Sequence, residues 1–202
     1  MWLHDRLEPK IKEAKERIAK IYKEHKDTSL GEYQVKHIYN GLRDLDLLIC
    51  DLSFVDPNEG LKIRGYPIKE VVDFLPRANG NEMPLAGGLY YLLLVGDKPS
   101  MKDALDIEEE WCRRSDLPYY VADMLRAMPK ETHPMTMFSQ AILALQSRSE
   151  FVRHYNNELH REDYWRPTLT DSLALTAKAP AIAAAIYNIK YKNHALIPPS
   201  QK

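Results

Sequence analysis

The chain has 202 residues, 28 of them basic and 29 acidic, for a net charge of −1. That balance gives no electrostatic reason to expect nucleic acid or an anionic membrane as a partner. The length suits one domain with a real core, or a large piece of a bigger one. Cys50 and Cys112 lie far apart with no CxxC or Cys/His spacing. They read as reduced, buried thiols of an intracellular protein, with neither a zinc site nor a disulfide framework implied.

The N-terminus lacks the pattern of a signal peptide, and Asp5, Glu8, Glu13 and Glu16 are residues that transit peptides avoid. Leu7, Ile11, Ala14, Ile18 and Ile21 form one apolar stripe, which predicts a helix over about 5–26. A short helix is expected over 34–40. The apolar run 47–55 reads as a strand, 56–60 as a turn and 61–64 as a second strand. Together they make a small antiparallel hairpin on a helical protein.

Helices are then expected over 67–75, 85–95, 101–114, 117–128, 134–147 and 150–157. Pro67 and Pro134 stand where a first-turn proline belongs. A last long helix is expected over 168–191, kinked or broken at Pro180. Between Leu173 and Ile186 it has almost no polar face, Lys178 excepted. A helix apolar nearly all round is buried on every side. Either a further polypeptide covers it, which is the reading preferred here, or it threads the chain's own core. No run approaches the ~18 apolar residues of a membrane span, so no transmembrane segment is expected. The fold class is therefore mainly α-helical, with a hairpin near residues 47–64.

Generic catalytic motifs are absent: there is no GxSxG, Walker loop, GxGxxG or HExxH. The seven histidines show no i, i+4 pair for a metal. What remains is a series of blocks in a particular order. Gly41-Leu42-Arg43 precedes the strand. Asp56-Pro57-Asn58-Glu59-Gly60-Leu61-Lys62-Ile63-Arg64-Gly65-Tyr66-Pro67-Ile68 follows, then Leu75-Pro76 and a Gly88-Leu89 helix ending at Gly96. His133-Pro134-Met135, Ala144-Leu145, His160-Arg161 with Tyr164-Trp165, and Ala177-Lys178-Ala179-Pro180 complete the set.

In order and spacing these blocks resemble the citrate synthase family over nearly the whole chain, in its eukaryotic, mitochondrial form. The resemblance implies the N-terminal half of that family's all-helical large domain, so 1–202 is read as one such region. The family condenses acetyl-CoA with oxaloacetate. It uses an aspartate base, two histidines and carboxylate-binding arginines. The resemblance places these in motifs such as GPxHGG and GxGHxxY, which do not occur in these 202 residues. His133 belongs to a helix-opening block and is not one of the catalytic histidines, so no catalytic residue is assigned. By position, Arg43 and Arg161 match arginines that the family directs at CoA phosphates.

The surroundings of both arginines depart from the family. Asp44 and Asp46 follow Arg43, Glu162 and Asp163 follow Arg161, and the usual Pro-Glu before Gly-Leu has become Ala86-Gly87-Gly88. A carboxylate 4 Å from a phosphate costs ~1 kcal/mol in water and ~4 kcal/mol at an effective dielectric of 20. CoA binding, the one cofactor interaction the resemblance offers, is therefore expected to be weak or lost. The expectation is a citrate-synthase-derived structural subunit of a larger, mitochondrial complex, inert alone, with protein partners covering 134–147 and 173–186. The alternative is one half of a split or truncated citrate synthase that works when a C-terminal half is supplied.

Overall fold

The computed structural model describes residues 2–41 and 52–192. The expected strand residues 47–51, together with Arg43, Asp44, Asp46 and Cys50, lie outside the described residues. The chain divides into two compact units, 1–105 and 106–202, with the division inside one helix.

The first unit opens with α1 (Trp2–His25) and α2 (Val35–Tyr39). Leu3 and Leu7 are buried, whereas Ile18 and Tyr22 further along the same stripe are exposed. The start of α1 lies on α4 (Ala86–Val95), where Trp2 stacks on Tyr91 at 6.1 Å between ring centroids and Lys10 meets Asp97 at 2.9 Å. In α2, His37 is buried and its Nδ1 accepts from the Gln34 amide at 3.0 Å.

The hairpin is β1 (Ser53–Asp56) and β2 (Gly60–Ile63), antiparallel, pairing Ser53 with Ile63 and Asp56 with Gly60. Its turn forms for a local reason. The Asp56 carboxylate accepts from the amides of Asn58 and Glu59 at 2.7 and 2.8 Å, and those bonds hold its carboxyl below the usual aspartate range. Gly60 then supplies a φ of +83°. A two-residue strand, β3 (Tyr66–Pro67), joins the other edge of β2. Pro67, expected at a helix start, closes β3 and immediately precedes the next helix. Proline serves both roles, because its missing amide faces away from the ladder at an edge and is not needed at a helix entrance.

α3 (Ile68–Phe74) follows, and Val71, Leu75, Leu92 and Ile63 form the unit's core. α4 is nearly enclosed, its two glycines included. A Cβ on Gly88 would sit 3.2 Å from Pro76 Cδ and 3.4 Å from Leu75 Cδ2, so glycine lets the helix approach. The C-terminus of α4 is closed by Gly96 in the left-handed region. It is also closed by Arg64, whose guanidinium donates to the carbonyls of Leu93 and Leu94.

α5 (Met101–Arg114) carries the division between the units. Its residue Cys112 is exposed, which corrects the expectation of a buried thiol. The apolar face of α5 is set by Ala104 and Ile107, and position 112 falls off that face.

The second unit contains α6 (Tyr119–Ala127), α7 (Pro134–Ala144), α8 (Glu150–Tyr155) and α9 (Trp165–Tyr191). α6, α7 and α8 pack on α9. Val121, Leu125, Met137, Ala141, Ile182 and Ile186 lead its core. α7 opens with Pro134 at its first position, and the His133 side chain accepts from the Met135 amide, so this histidine is a helix cap. α7 stops at Ala144 and tightens into a 3-10 turn over Leu145–Arg148, shortening the helix expected to reach 147.

α9 runs through Pro180 without a break, and this chain covers it on one face only. Leu173, Ala177, Ile182, Ala185, Ile186 and Ile189 are buried. Pro180, Ala183, Ala184, Tyr187 and Tyr191 are exposed and form a stripe on the opposite face. Proline removes one backbone donor, and packing along the buried face supports the helix across the gap. By length and composition, residues Arg161–Tyr191 would also suffice to cross a membrane. The core helix of a soluble protein has the same properties. Here α9 carries the half-buried Lys178 and the buried Asn188 and forms the core of its unit.

Candidate functional site

The one candidate arginine within the described residues, Arg161, stands at the entrance to α9. Residues Arg161–Asp163 form a single 3-10 turn, with the Asp163 amide donating to the His160 carbonyl at 2.9 Å. Aromatic rings fix the turn from beneath. Phe151 meets Tyr164 edge-on at 5.2 Å, and Tyr155 lies 5.7 Å from Phe151 and 5.9 Å from Tyr164. The start of α8 is fastened to α9 by one carboxylate. Asp171 accepts from the Ser149 hydroxyl at 2.6 Å and from the amides of Glu150 and Phe151 at 2.8 and 3.0 Å. α8, the loop and the α9 entrance thus form one braced corner, and Arg161 projects from it.

Arg161 is exposed and makes no ion pair among the described residues. Of the two acidic residues set against it in the sequence, Glu162 is exposed, but Asp163 is turned to Arg166 at 3.4 Å. Arg166 in turn lies 4.5 Å over the Trp165 ring. The local carboxylate opposition to Arg161 is therefore smaller than its neighbours in sequence suggest. Exposed on a braced turn, a guanidinium can receive a phosphate oxygen without first giving up a partner. Arg43 cannot be placed beside it, since residue 43 lies outside the described residues.

A second cationic place was not legible in the sequence. A cleft of about 580 Å³ within the second unit is lined by Arg113, Arg114, Arg148 and Lys178, which come from α5, the turn after α7, and α9. Its one sequence signal is Lys178, the single charge inside an apolar helix. Among the described residues no group of three or more His, Cys, Asp or Glu is placed to hold a metal ion.

A helical large-domain body with a small hairpin, a glycine-assisted apolar helix and an arginine at the mouth of a long helix defines a class, and comparison identifies it. The family model described as "Citrate synthase, C-terminal domain" matches residues 41–202. The chain belongs to the citrate synthase family. It is 39% identical over 190 residues to the mitochondrial citrate synthase of Xiphias gladius, covering 94% of this chain and 40% of that protein. It is 38% identical over 183 residues to that of Emericella nidulans, covering 91% and 39%. It is 37% identical over 196 residues to citrate synthase 4, mitochondrial, of Arabidopsis thaliana, covering 97% and 41%. The chain thus spans about two fifths of the length of these relatives. The solved citrate synthase of Pyrobaculum aerophilum shares the fold at a TM-score of 0.65 and 20% identity, over 80% of this chain and 38% of that one.

Proposed function

We propose that these residues serve as a structural, assembly-forming part of a citrate-synthase-type particle and carry no condensing activity by themselves. The observation that supports this most directly is the apolar surface left open in the second unit. On α9, Tyr187 and Tyr191 are 53% and 62% exposed beside Ala183 and Ala184, and on α7 Leu143 is 72% exposed. Burying one large apolar side chain is worth ~1.5–3 kcal/mol, so several on adjacent helices favour a protein partner. The family's aspartate base and histidines have no counterpart motifs among these 202 residues. Catalysis needs such groups within ~3 Å of the reacting atoms. The mitochondrial names of the relatives make the mitochondrion the proposed location.

A second reading is favoured by Arg161, which stands exposed, with no ion pair among the described residues, at the position that resembles a CoA-phosphate arginine. In that reading the chain is one half of a citrate synthase and contributes Arg161 once a C-terminal half joins it. Thiol release from acetyl-CoA and oxaloacetate separates the two. The chain alone should give only background rate, and thiol release by the chain alone, abolished by a mutation in it, would refute the assembly reading. Native mass spectrometry of the particle should find a polypeptide on the open face. A monodisperse monomer by light scattering, with no partner in the native particle, would remove the argument from exposed surface. Activity regained on mixing with a citrate synthase C-terminal half, and lost with Arg161→Ala, would establish the second reading.

A further inference from the structure

The loop between α3 and α4 is clamped at its base and open at its tip. At the base the Leu85 amide donates to the Pro76 carbonyl at 2.8 Å. The Arg77 guanidinium donates to the carbonyls of Glu82 at 2.9 Å and Asp73 at 3.1 Å. At the tip, residues 78–81 form a β-turn, in which the Asn81 amide donates to the Ala78 carbonyl at 3.0 Å. Gly80 takes the third position of that turn with a φ of +81°, as a type II turn requires.

The peptide joining Asn79 to Gly80 is central to the turn and takes no part in its hydrogen bond. Both residues are exposed, and among the described residues no hydrogen bond engages the Gly80 amide. A Cβ on Gly80 would meet nothing within 4 Å. The nitrogen that follows Asn79 is thus uncrowded, and glycine leaves its backbone free to rotate. Other asparagines are placed differently. After Asn58 the Glu59 amide donates to the Asp56 carboxylate at 2.8 Å, and after Asn157 the Glu158 amide donates to the Tyr155 carbonyl at 3.3 Å. Asn40 is also followed by glycine, but its own amide is tied to the Lys36 carbonyl at 2.9 Å at the end of α2.

We propose that Asn79 is a self-modification site that converts to a mixture of isoaspartate and aspartate. The Gly80 nitrogen, its proton passed to solvent, attacks the side-chain carbonyl carbon of Asn79. A bond forms between the two, the bond from that carbon to Nδ2 breaks, and Nδ2 leaves as ammonia after taking a proton from water. Water then adds to either carbonyl of the five-membered imide. Opening at the main-chain carbonyl routes the backbone through the former side chain and gives isoaspartate. Opening at the other carbonyl restores the ordinary backbone and gives aspartate. Neither step changes an oxidation state. Each product adds one negative charge to the chain's −1. The clamp confines the change to the tip, since Arg77 and Leu85 hold the loop on both sides of it.

The test is peptide mapping by mass spectrometry of the full chain after incubation in warm, mildly alkaline buffer, with the two acid products separated by chromatography. The segment holding Asn79 should show the amide-to-acid mass change ahead of those holding Asn40, Asn58 and Asn157, and isoaspartate should be among its products. The rate should rise with pH, because the attacking nitrogen must first lose its proton. Asn79→Gln should abolish the change, since the larger ring closes far more slowly. Gly80→Ala should slow it by about tenfold or more, because a Cβ opposes the positive φ and crowds the nitrogen. Asn79→Gln keeps the test open should Gly80→Ala fold poorly. The proposal is overturned if Asn79 stays an amide after weeks in that buffer, or converts no faster than Asn58 and Asn157. It is also overturned by indifference to Gly80→Ala, or by aspartate without isoaspartate, the mark of direct hydrolysis.

Discussion

α4 and α9 are the two strongly apolar helices of the molecule, and they are treated in opposite ways. α4 is enclosed: only Ala86 at its start is exposed, Leu92 is fully buried, and Gly88 gives up a side chain so that Leu75 and Pro76 can close on it. α9 is closed on one face and open on the other, where alanines and two tyrosines meet solvent in the chain taken alone. α4 carries no charge at all, whereas α9 includes Arg166, Asp171, Lys178 and Lys190. Leucines and isoleucines lead the buried face of α9, while its open face sets the small Ala183 and Ala184 beside the large Tyr187 and Tyr191. Apolarity states that a surface is to be covered.

The largest test of that contrast is Leu92→Ala, which should lower unfolding free energy by about 2–5 kcal/mol through lost burial and a cavity, whereas Ala184→Ser on the open face of α9 should stay within about 0.5 kcal/mol. Chemical denaturation measures both, and an equal cost at the two positions would break the comparison. Next comes the closure of α4. Arg64→Ala strips the donors from the Leu93 and Leu94 carbonyls and should cost about 1–3 kcal/mol, read from the same melts.

A smaller effect on folding, with a larger one on association, is expected at the α9 stripe. Tyr187→Glu should change the chain's own stability by no more than about 0.5 kcal/mol while shifting any oligomer toward monomer in sedimentation velocity. The smallest effect concerns Lys178. Its amine is held low in the folded chain, mainly by burial, so between that lowered value and 10.5 the unfolded chain binds more protons. Stability conferred by the native residue, relative to Lys178→Met, should therefore rise with pH across that alkaline window. A flat or falling difference would mean that the amine is not held low in the folded state.

Much of this was open to reading in advance where local chemistry decides. α5 was bounded to the residue, since its amphipathic pattern and flanking Pro99-Ser100 and Ser115 leave few alternatives. α7 began where Pro134 placed it. Other features depend on what lies across space. The entrance of α9 falls at Trp165, ahead of the expected Thr168, because Pro167 belongs to its first turn and the aromatic corner supports the residues before it. The edge strand Tyr66–Pro67 is too short to carry a period. Asp163 read as an opponent of Arg161, yet its rotamer serves Arg166. The cationic cleft draws on residues up to 65 positions apart, a convergence that spacing along a chain does not reveal.

The Asp171 clasp has a topological consequence. By gripping Ser149, Glu150 and Phe151 it closes a ring of about twenty residues whose tip, Asn156–Glu158, is exposed. Once such a ring is shut, lengthening it adds little entropy loss, about 0.6 kcal/mol for each doubling. The tip is thus free to drift in length and composition while the two ends, and the arginine beside them, stay where the carboxylate holds them.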